Sequence, residues 1–181
     1  MPLAKERLYT VEDIYDLPEG INAELIDGVI YDMATPTRIH QEISMFLSRC
    51  ISNYIQEKKG GCRVYAAPFA VFLNKDDYNY FIPDLSVIFN PDKLSDRGCE
   101  GAPDWAIEIV SPSSRSMDYI TKMFQYSAAG VREYWIIDSE KDSITVYNFD
   151  GKTGGSYTMS DAISVGIYDG ELQIDFSELS F

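Results

Sequence analysis

Asp104-Trp-Ala-Ile-Glu-Ile-Val-Ser-Pro-Ser-Ser114 decides the fold. In an extended strand alternate side chains share a face, so Glu108 lies with Ala106 and Val110 while Trp105, Ile107 and Ile109 point the other way. Ser111-Pro-Ser-Ser then supplies a turn and a helix start. Upstream, Pro83-Asp-Leu-Ser-Val-Ile-Phe89 has the same character: Asp84 shares a face with Ser86, and Leu85, Val87 and Phe89 face away. Each strand sets one acid among apolar neighbours. If the two strands are adjacent, both carboxylates can converge on one hard divalent cation, because Mg²⁺ needs only one or two carboxylates besides waters and phosphate oxygens. Spacing alone leaves a second reading open, in which both acids are solvated or sit at strand ends.

Downstream, residues 115–129 read as a helix with Met117, Ile120, Phe124 and Ala128 on its apolar side and Gly130 as its stop. Ser114, Asp118, Lys122 and Tyr126 form a separate stripe facing a cleft or bulk water. In the latter case Asp118–Lys122 is an ordinary i,i+4 surface pair worth about 0.3–0.5 kcal/mol, and Lys122→Ala leaves the fold intact. Residues 132–138 and 143–149 read as a second hairpin. Upstream, Thr10 caps a short helix ending before Pro18, with Asp13 three residues on. Residues 21–26 and 29–33 flank Asp27-Gly28, a strong hairpin signal. Residues 37 to about 58 form the clearest helix, with Ile39, Ile43, Phe46, Leu47, Cys50, Ile51, Tyr54 and Ile55 in one stripe and Gly60-Gly61 as its end. Residues 62–73 read as one or two strands around Pro68, 74–79 as a polar turn, 150–170 as weakly patterned, and 172–176 as a last strand. This order predicts an α/β chain of α+β character: a mixed β-sheet flanked by helices, with an N-terminal helix and hairpin.

The 181 residues fit a single domain, with a core over about 10–149 and an acidic C-terminal extension over 150–181. The first residues hold no apolar stretch of signal-peptide length, and no run is long enough to span a membrane. Cys50, Cys62 and Cys99 are widely spaced without a C-x-x-C, which suits incidental thiols and a cytoplasmic setting. The net charge of −14 argues against binding nucleic acid by broad phosphate attraction. Half of it lies in residues 138–181, where nine acids face two lysines.

Several motifs occur in a telling order: Ala23-Glu-Leu-Ile-Asp-Gly28, His40 opening the long helix, Pro83-Asp84, Glu108-Ile-Val-Ser-Pro-Ser-Ser114, a helix bearing Lys122 and Tyr126, and Gly130-Val-Arg-Glu-Tyr-Trp-Ile-Ile-Asp138. Together they resemble the Uma-two family of restriction-endonuclease-like proteins in the PD-(D/E)XK nuclease superfamily, from about Thr10 to Phe149. The resemblance implies a restriction-endonuclease-like fold and a Mg²⁺- or Mn²⁺-dependent endonuclease hydrolysing phosphodiester bonds in DNA. Asp84, Glu108 and the main-chain carbonyl of Ile109 would be the metal ligands. The metal would polarise the phosphate, activate water and stabilise the leaving oxygen. The superfamily's usual Glu-X-Lys would place a lysine at position 110, which is valine here, so Lys122 is the candidate catalytic lysine beside Asp84 and Glu108.

Glu24, His40 and Tyr126 are secondary candidates. Glu24 could help bind metal, although hairpin acids are usually solvated. His40 reads either as a general base or as a helix-terminus packing residue. Trp105, Tyr134 and Trp135 read as core or interface aromatics. Two further functions compete: a non-catalytic binding or regulatory module that keeps the nuclease fold, favoured by the acidic charge and Val110, and an interaction protein whose acidic tail binds a partner. Cleaving both strands of a duplex would suit a two-fold homodimer, by analogy.

Overall fold

The computed structural model describes residues 7–74 and 76–179. Residues 1–6, Lys75 in the expected polar turn, and residues 180 and 181 lie outside the described residues.

Helix α1 (Val11–Tyr15) begins at Thr10, whose N–H and hydroxyl both donate to the Asp13 carboxylate. Strands β1 (Ala23–Ile26) and β2 (Val29–Asp32) pair antiparallel across Asp27-Gly28, both with positive φ, at 51° and 78°. This is the backbone that an Asp-Gly hairpin turn requires. Helix α2 (Arg38–Lys58) is capped by Thr37, whose side chain accepts from the His40 N–H. It ends at Lys59, which takes the left-handed conformation itself, one residue before the expected Gly60-Gly61 stop.

Strands β3 (Arg63–Ala66) and β4 (Val71–Phe72) flank Pro68 but enter different sheets. Strand β5 (Leu85–Ile88) follows, then two short strands that the sequence reading missed, β6 (Leu94–Ser95) and β7 (Gly98–Glu100). These two form a three-stranded sheet with β4. Strand β8 (Trp105–Ile109), a helical crossover, β9 (Glu133–Asp138), β10 (Ser143–Asn148) and β11 (Thr153–Tyr157) complete the six-stranded main sheet in the order β11-β10-β9-β8-β5-β3. Within this sheet only the β8–β9 pair is parallel. A parallel pair needs a long crossover, and the segment after Ser111 provides it.

Alternation along β8 splits the interior in two. Trp105, Ile107 and Ile109 join Leu85, Val87, Trp135 and Ile137 beneath the α2 stripe of Ile43, Phe46, Leu47 and Ile51. Ala106 and Val110 join Ile136, Tyr134 and Tyr126 on the opposite face. The first core also takes in residues 163–176, so the region expected as an acidic extension packs into the body of the fold. There β12 (Ala162–Ser164) pairs with β13 (Gln173–Asp175), and Ile163, Val165, Ile167, Leu172, Ile174 and Phe176 all point inward. Their strict alternation was the available signal, hidden among exposed acids and glycines.

The crossover helix departs furthest from expectation. It is a π-helix over Met117–Lys122 running into α3 (Met123–Ala129). Ile120 is 56% exposed and Phe124 64%, and Ala128 is exposed too, so of the residues expected on the apolar side only Met117, half-buried against the second core, faces inward. Asp118, Lys122 and Tyr126 face inward, at 2%, 4% and 0%. In an α-helix residues four apart overshoot one turn. The wider π turn makes them fall short. The opposite drifts of the two segments cancel and keep these three side chains on one side. Replacing Phe124 by Ser should therefore leave stability within about 0.5 kcal/mol, as for other surface positions. Trp105→Ala should cost about 3–5 kcal/mol through the cavity it leaves. Urea unfolding of the two variants checks both, and a large loss in Phe124→Ser would place this helix the other way round.

Candidate active site

The β5–β8 register pairs Leu85 with Ile107 and Ser86 with Ala106. Continued by one residue, it sets Asp84 opposite Glu108, on the same sheet face. Asp84 is held at both oxygens: Oδ2 accepts the Ile109 N–H at 2.7 Å, and Oδ1 lies 3.1 Å from His40 Nε2. His40 reaches it from the first turn of α2. Burial works against the His40 charge, but the bond to Asp84 and its negative charge outweigh this and raise the imidazole above its ordinary pKa. Its Nδ1 is buried without a hydrogen-bond partner.

Lys122 comes down from the crossover helix onto this face. Its Nζ lies 2.8 Å from Glu24 Oε2, 3.0 Å from Glu108 Oε1 and 3.6 Å from Asp118 Oδ1. Tyr126, one turn on, donates its hydroxyl to the same Glu108 oxygen at 2.8 Å. Glu24 also accepts the Ile82 N–H at 2.8 Å. Two expectations are thereby corrected. Glu24 is not a solvated hairpin acid, since β1 lies against the core and buries it. Asp118–Lys122 is not a surface pair, because both residues are almost wholly buried. Ser114 fixes the far side of Asp118, donating to Oδ2 at 2.6 Å, while Asp118 Oδ1 has no hydrogen-bond partner.

One ammonium thus serves three carboxylates, with Asp84 close by. Burial opposes the charge of Lys122, yet Glu108, Glu24 and Asp118 hold it well above the ordinary lysine value. The acids are correspondingly short of positive charge. Burial, reinforced by Asp118, Asp84 and Glu24, pushes Glu108 well above the carboxylate range in spite of Lys122. Asp118 is raised for the same first reason, and burial followed by the charge of Glu108 raises Tyr126 well above the usual phenol value.

Among the described residues no three His, Cys, Asp or Glu side chains form a ready-made metal cage. The donor chemistry nevertheless fits a hard divalent cation. It consists of carboxylates beside a main-chain carbonyl, with more buried negative charge than one lysine neutralises and an Asp118 oxygen that the lysine approaches without a hydrogen bond. Of the expected residues, the fold brings Asp84, Glu108, Ile109, Lys122, Glu24, His40 and Tyr126 to one end of the β5–β8 pair. Asp118, on the stripe expected to face a cleft or bulk water, carries no assigned role in the sequence reading beyond pairing with Lys122. Its place four residues before Lys122 and four after Ser114 could have revealed it, had the apolar residues at 120 and 124 not suggested the opposite helix face.

The model of the family described as "Uma2: Putative restriction endonuclease" matches residues 11–164. An uncharacterized protein of Synechocystis sp., slr1290, is 28% identical over 131 residues, covering 71% of this chain and 67% of that one. A crystal structure of a putative nuclease belonging to DUF820 from Anabaena variabilis superposes with a TM-score of 0.76 at 20% identity, covering 94% of this chain and 96% of that one. At such identity the second likeness is one of fold. Among the described residues no helix is long and apolar enough to cross a membrane.

Burial reverses the expectation that Lys122 can be removed without harm to the fold. Lys122→Met should destabilise by about 3–5 kcal/mol at neutral pH, the usual penalty for stripping a buried charge of its partner. Glu108 has a raised folded pKa, so its protonated form is favoured by folding, and stability is lost as pH rises through that value. The deficit in Lys122→Met should therefore shrink on acidification, and adding Glu108→Gln should recover part of it. Urea titrations across pH read this directly. A pH-independent deficit would show that the acids are not what Lys122 compensates.

Proposed function

The chain belongs to the Uma2 family of restriction-endonuclease-like proteins, and from that premise we propose that it is a metal-dependent endonuclease hydrolysing phosphodiester bonds in DNA. The observation that carries this reading is the placement of Lys122 Nζ 3.0 Å from Glu108 Oε1, with Asp84 opposite on the neighbouring strand. A lysine at position 110 would serve the same carboxylate from the strand itself. Here that position is an apolar valine, 6% exposed, and the lysine arrives from the crossover helix.

Asp84, Glu108 and the Ile109 carbonyl would hold Mg²⁺ or Mn²⁺. When bound, such a cation supplies Lewis acidity at a phosphoryl oxygen. The chain's own groups do the rest. The Ile109 N–H and His40 fix the Asp84 carboxylate, while Tyr126 and Lys122 fix Glu108, so neither acid must reorganise when substrate arrives. Water adds to phosphorus, the bond to the leaving oxygen breaks, and the water's proton ends on that oxygen or in solvent. Lys122 acts here as a positioning residue: its ammonium, set among Glu108, Glu24 and Asp118, opposes the upward push that burial and the neighbouring acids exert on Glu108.

A second reading, a binding module that keeps the fold without catalysis, is favoured by one observation. The Lys122 ammonium is already shared among three carboxylates and is 4% exposed. The experiment separating the two is cleavage of labelled DNA with Mg²⁺ or Mn²⁺ and with EDTA. Metal-dependent cleavage is expected, with Asp84→Asn and Glu108→Gln each lowering the rate at least about 100-fold, the scale for removing one electrostatic contributor at a reacting centre. Lys122→Arg should also be poor, because a planar guanidinium does not replace a compact ammonium between three acids. Calorimetry should show Mg²⁺ heat that Asp84→Asn loses. Absence of both cleavage and metal heat in the wild type would leave the binding module.

A further inference from the structure

Beside the site lies an aromatic pair that the chemistry above does not use. The rings of Tyr65 and Phe69 stack with centroids 4.2 Å apart and planes 6° from parallel. Tyr65 is the register partner of Ser86, which pairs in turn with Ala106. Cross-strand partners project from one face, so Tyr65 stands on the face of Glu108. Asp84 is its diagonal neighbour on the adjoining strand, at about 7–8 Å by ordinary sheet geometry. The Ala67 N–H donates to the Asp84 carbonyl at 2.9 Å and ties the two segments together. Strand β3 is the outermost strand of its sheet and both rings are half-buried, so the pair borders solvent next to the acids.

Charge says what such a pair could hold. The chain carries a net charge of −14. Arg38 is bound to Glu42, Arg115 to Asp138 and Glu140, and Arg132 to Asp104 and Asp150. Lys122 is committed to three acids. Binding to duplex DNA draws most of its strength from cations on phosphates; these four cations are already engaged, and although Arg63 on β3 donates only to the Gly61 and Cys62 carbonyls, the net charge of −14 opposes broad phosphate attraction. Stacking on a base needs no charge, and every base offers a π-face. Within a duplex those faces are covered by neighbouring bases, so only an unpaired base can use such a platform.

We propose that Tyr65 and Phe69 form a subsite for an unpaired nucleobase flanking the phosphodiester at Asp84 and Glu108, so that single-stranded DNA is preferred to duplex. The identity of the adjacent reacting bond rests on the nuclease reading, whereas the stacking itself does not. The test uses the full chain and a fluorescein-labelled oligodeoxythymidylate, with its duplex as comparison. Binding is read by anisotropy in Ca²⁺, and cleavage in Mg²⁺ or Mn²⁺. The single strand should bind more tightly than the duplex. Phe69→Leu, which keeps apolar bulk but removes the π-face, should weaken single-strand binding roughly 5- to 150-fold, the range for one base stack. An abasic residue stepped along the strand should cause the same loss at one position in the wild type and no further loss in Phe69→Leu. Tyr65→Phe retains the ring and should bind as the wild type does, which guards against a folding artefact. Equal binding of duplex and single strand, or unchanged binding on both Phe69→Leu and abasic substitution, overturns the subsite. If the strand binds with the abasic penalty but stays uncut, the nuclease reading fails and the subsite stands. If it is cut with no dependence on Phe69 or on the abasic position, the subsite fails and the nuclease reading stands.

Discussion

A single ammonium, that of Lys122, sits among Glu24, Glu108 and Asp118, and this knot fixes how three parts of the chain meet. Glu24 belongs to the N-terminal hairpin, Glu108 to the centre of the main sheet, and Asp118 to the crossover helix. None of these acids could be buried alone, because an isolated ionised carboxylate in an apolar interior is prohibitively unfavourable. The hairpin must therefore close over the sheet, and the crossover must present its polar stripe inward. The wider π turn is the local consequence: with it, Asp118, Lys122 and Tyr126 all reach the site, while Ile120 and Phe124 are left in solvent.

Much of the sheet was legible because its signals are local. Alternation in residues 104–110 assigned each side chain to a face, and two separate interiors with those memberships follow from it. Asp27-Gly28 announced its hairpin through the positive φ that such a turn needs, and the three- and four-residue spacing of 39–55 announced α2. Asp84 and Glu108 could be placed for the same reason, since each is the single charged residue on its stretch of strand, in 83–89 and 105–110. The crossover helix was misread because helical periodicity shows that two faces differ without showing which is buried. Hydrophobicity is the usual arbiter, and here it pointed outward. Three buried side chains, Asp118, Lys122 and Tyr126, can outcompete two apolar residues, but only when partners such as Glu24 and Glu108 arrive from distant strands, and a linear sequence does not reveal that. In the C-terminal region the strand expected over 172–176 is present as β13, but its partner β12 lay in the stretch read as weakly patterned. The alternation of Ile163, Val165 and Ile167 is clear, yet it is short and interrupted by glycines and acids before Leu172 resumes it.

The site carries more buried acid than its own cations neutralise, and this imbalance separates it from the ion pairs elsewhere in the molecule. Asp138, also buried, is matched by a two-pronged contact from Arg115 and is held below the usual carboxylate value, first by that bond. Glu133 is raised by burial, yet it is served by the Trp135 indole and the Ile167 N–H, and has no acidic neighbour among its causes. Glu108 differs from both: its two donors are shared or neutral, and three further acids bear on it. Stability alone gives no reason to gather four carboxylates around one lysine, since apolar residues of similar volume would pack there at no electrostatic loss. An arrangement short of positive charge becomes favourable when something positive enters, whether a proton or a metal ion. The opposite shifts of Glu108 and Asp138 thus follow from one difference: Asp138 has an arginine fork to itself, while Glu108 shares its lysine with two other acids.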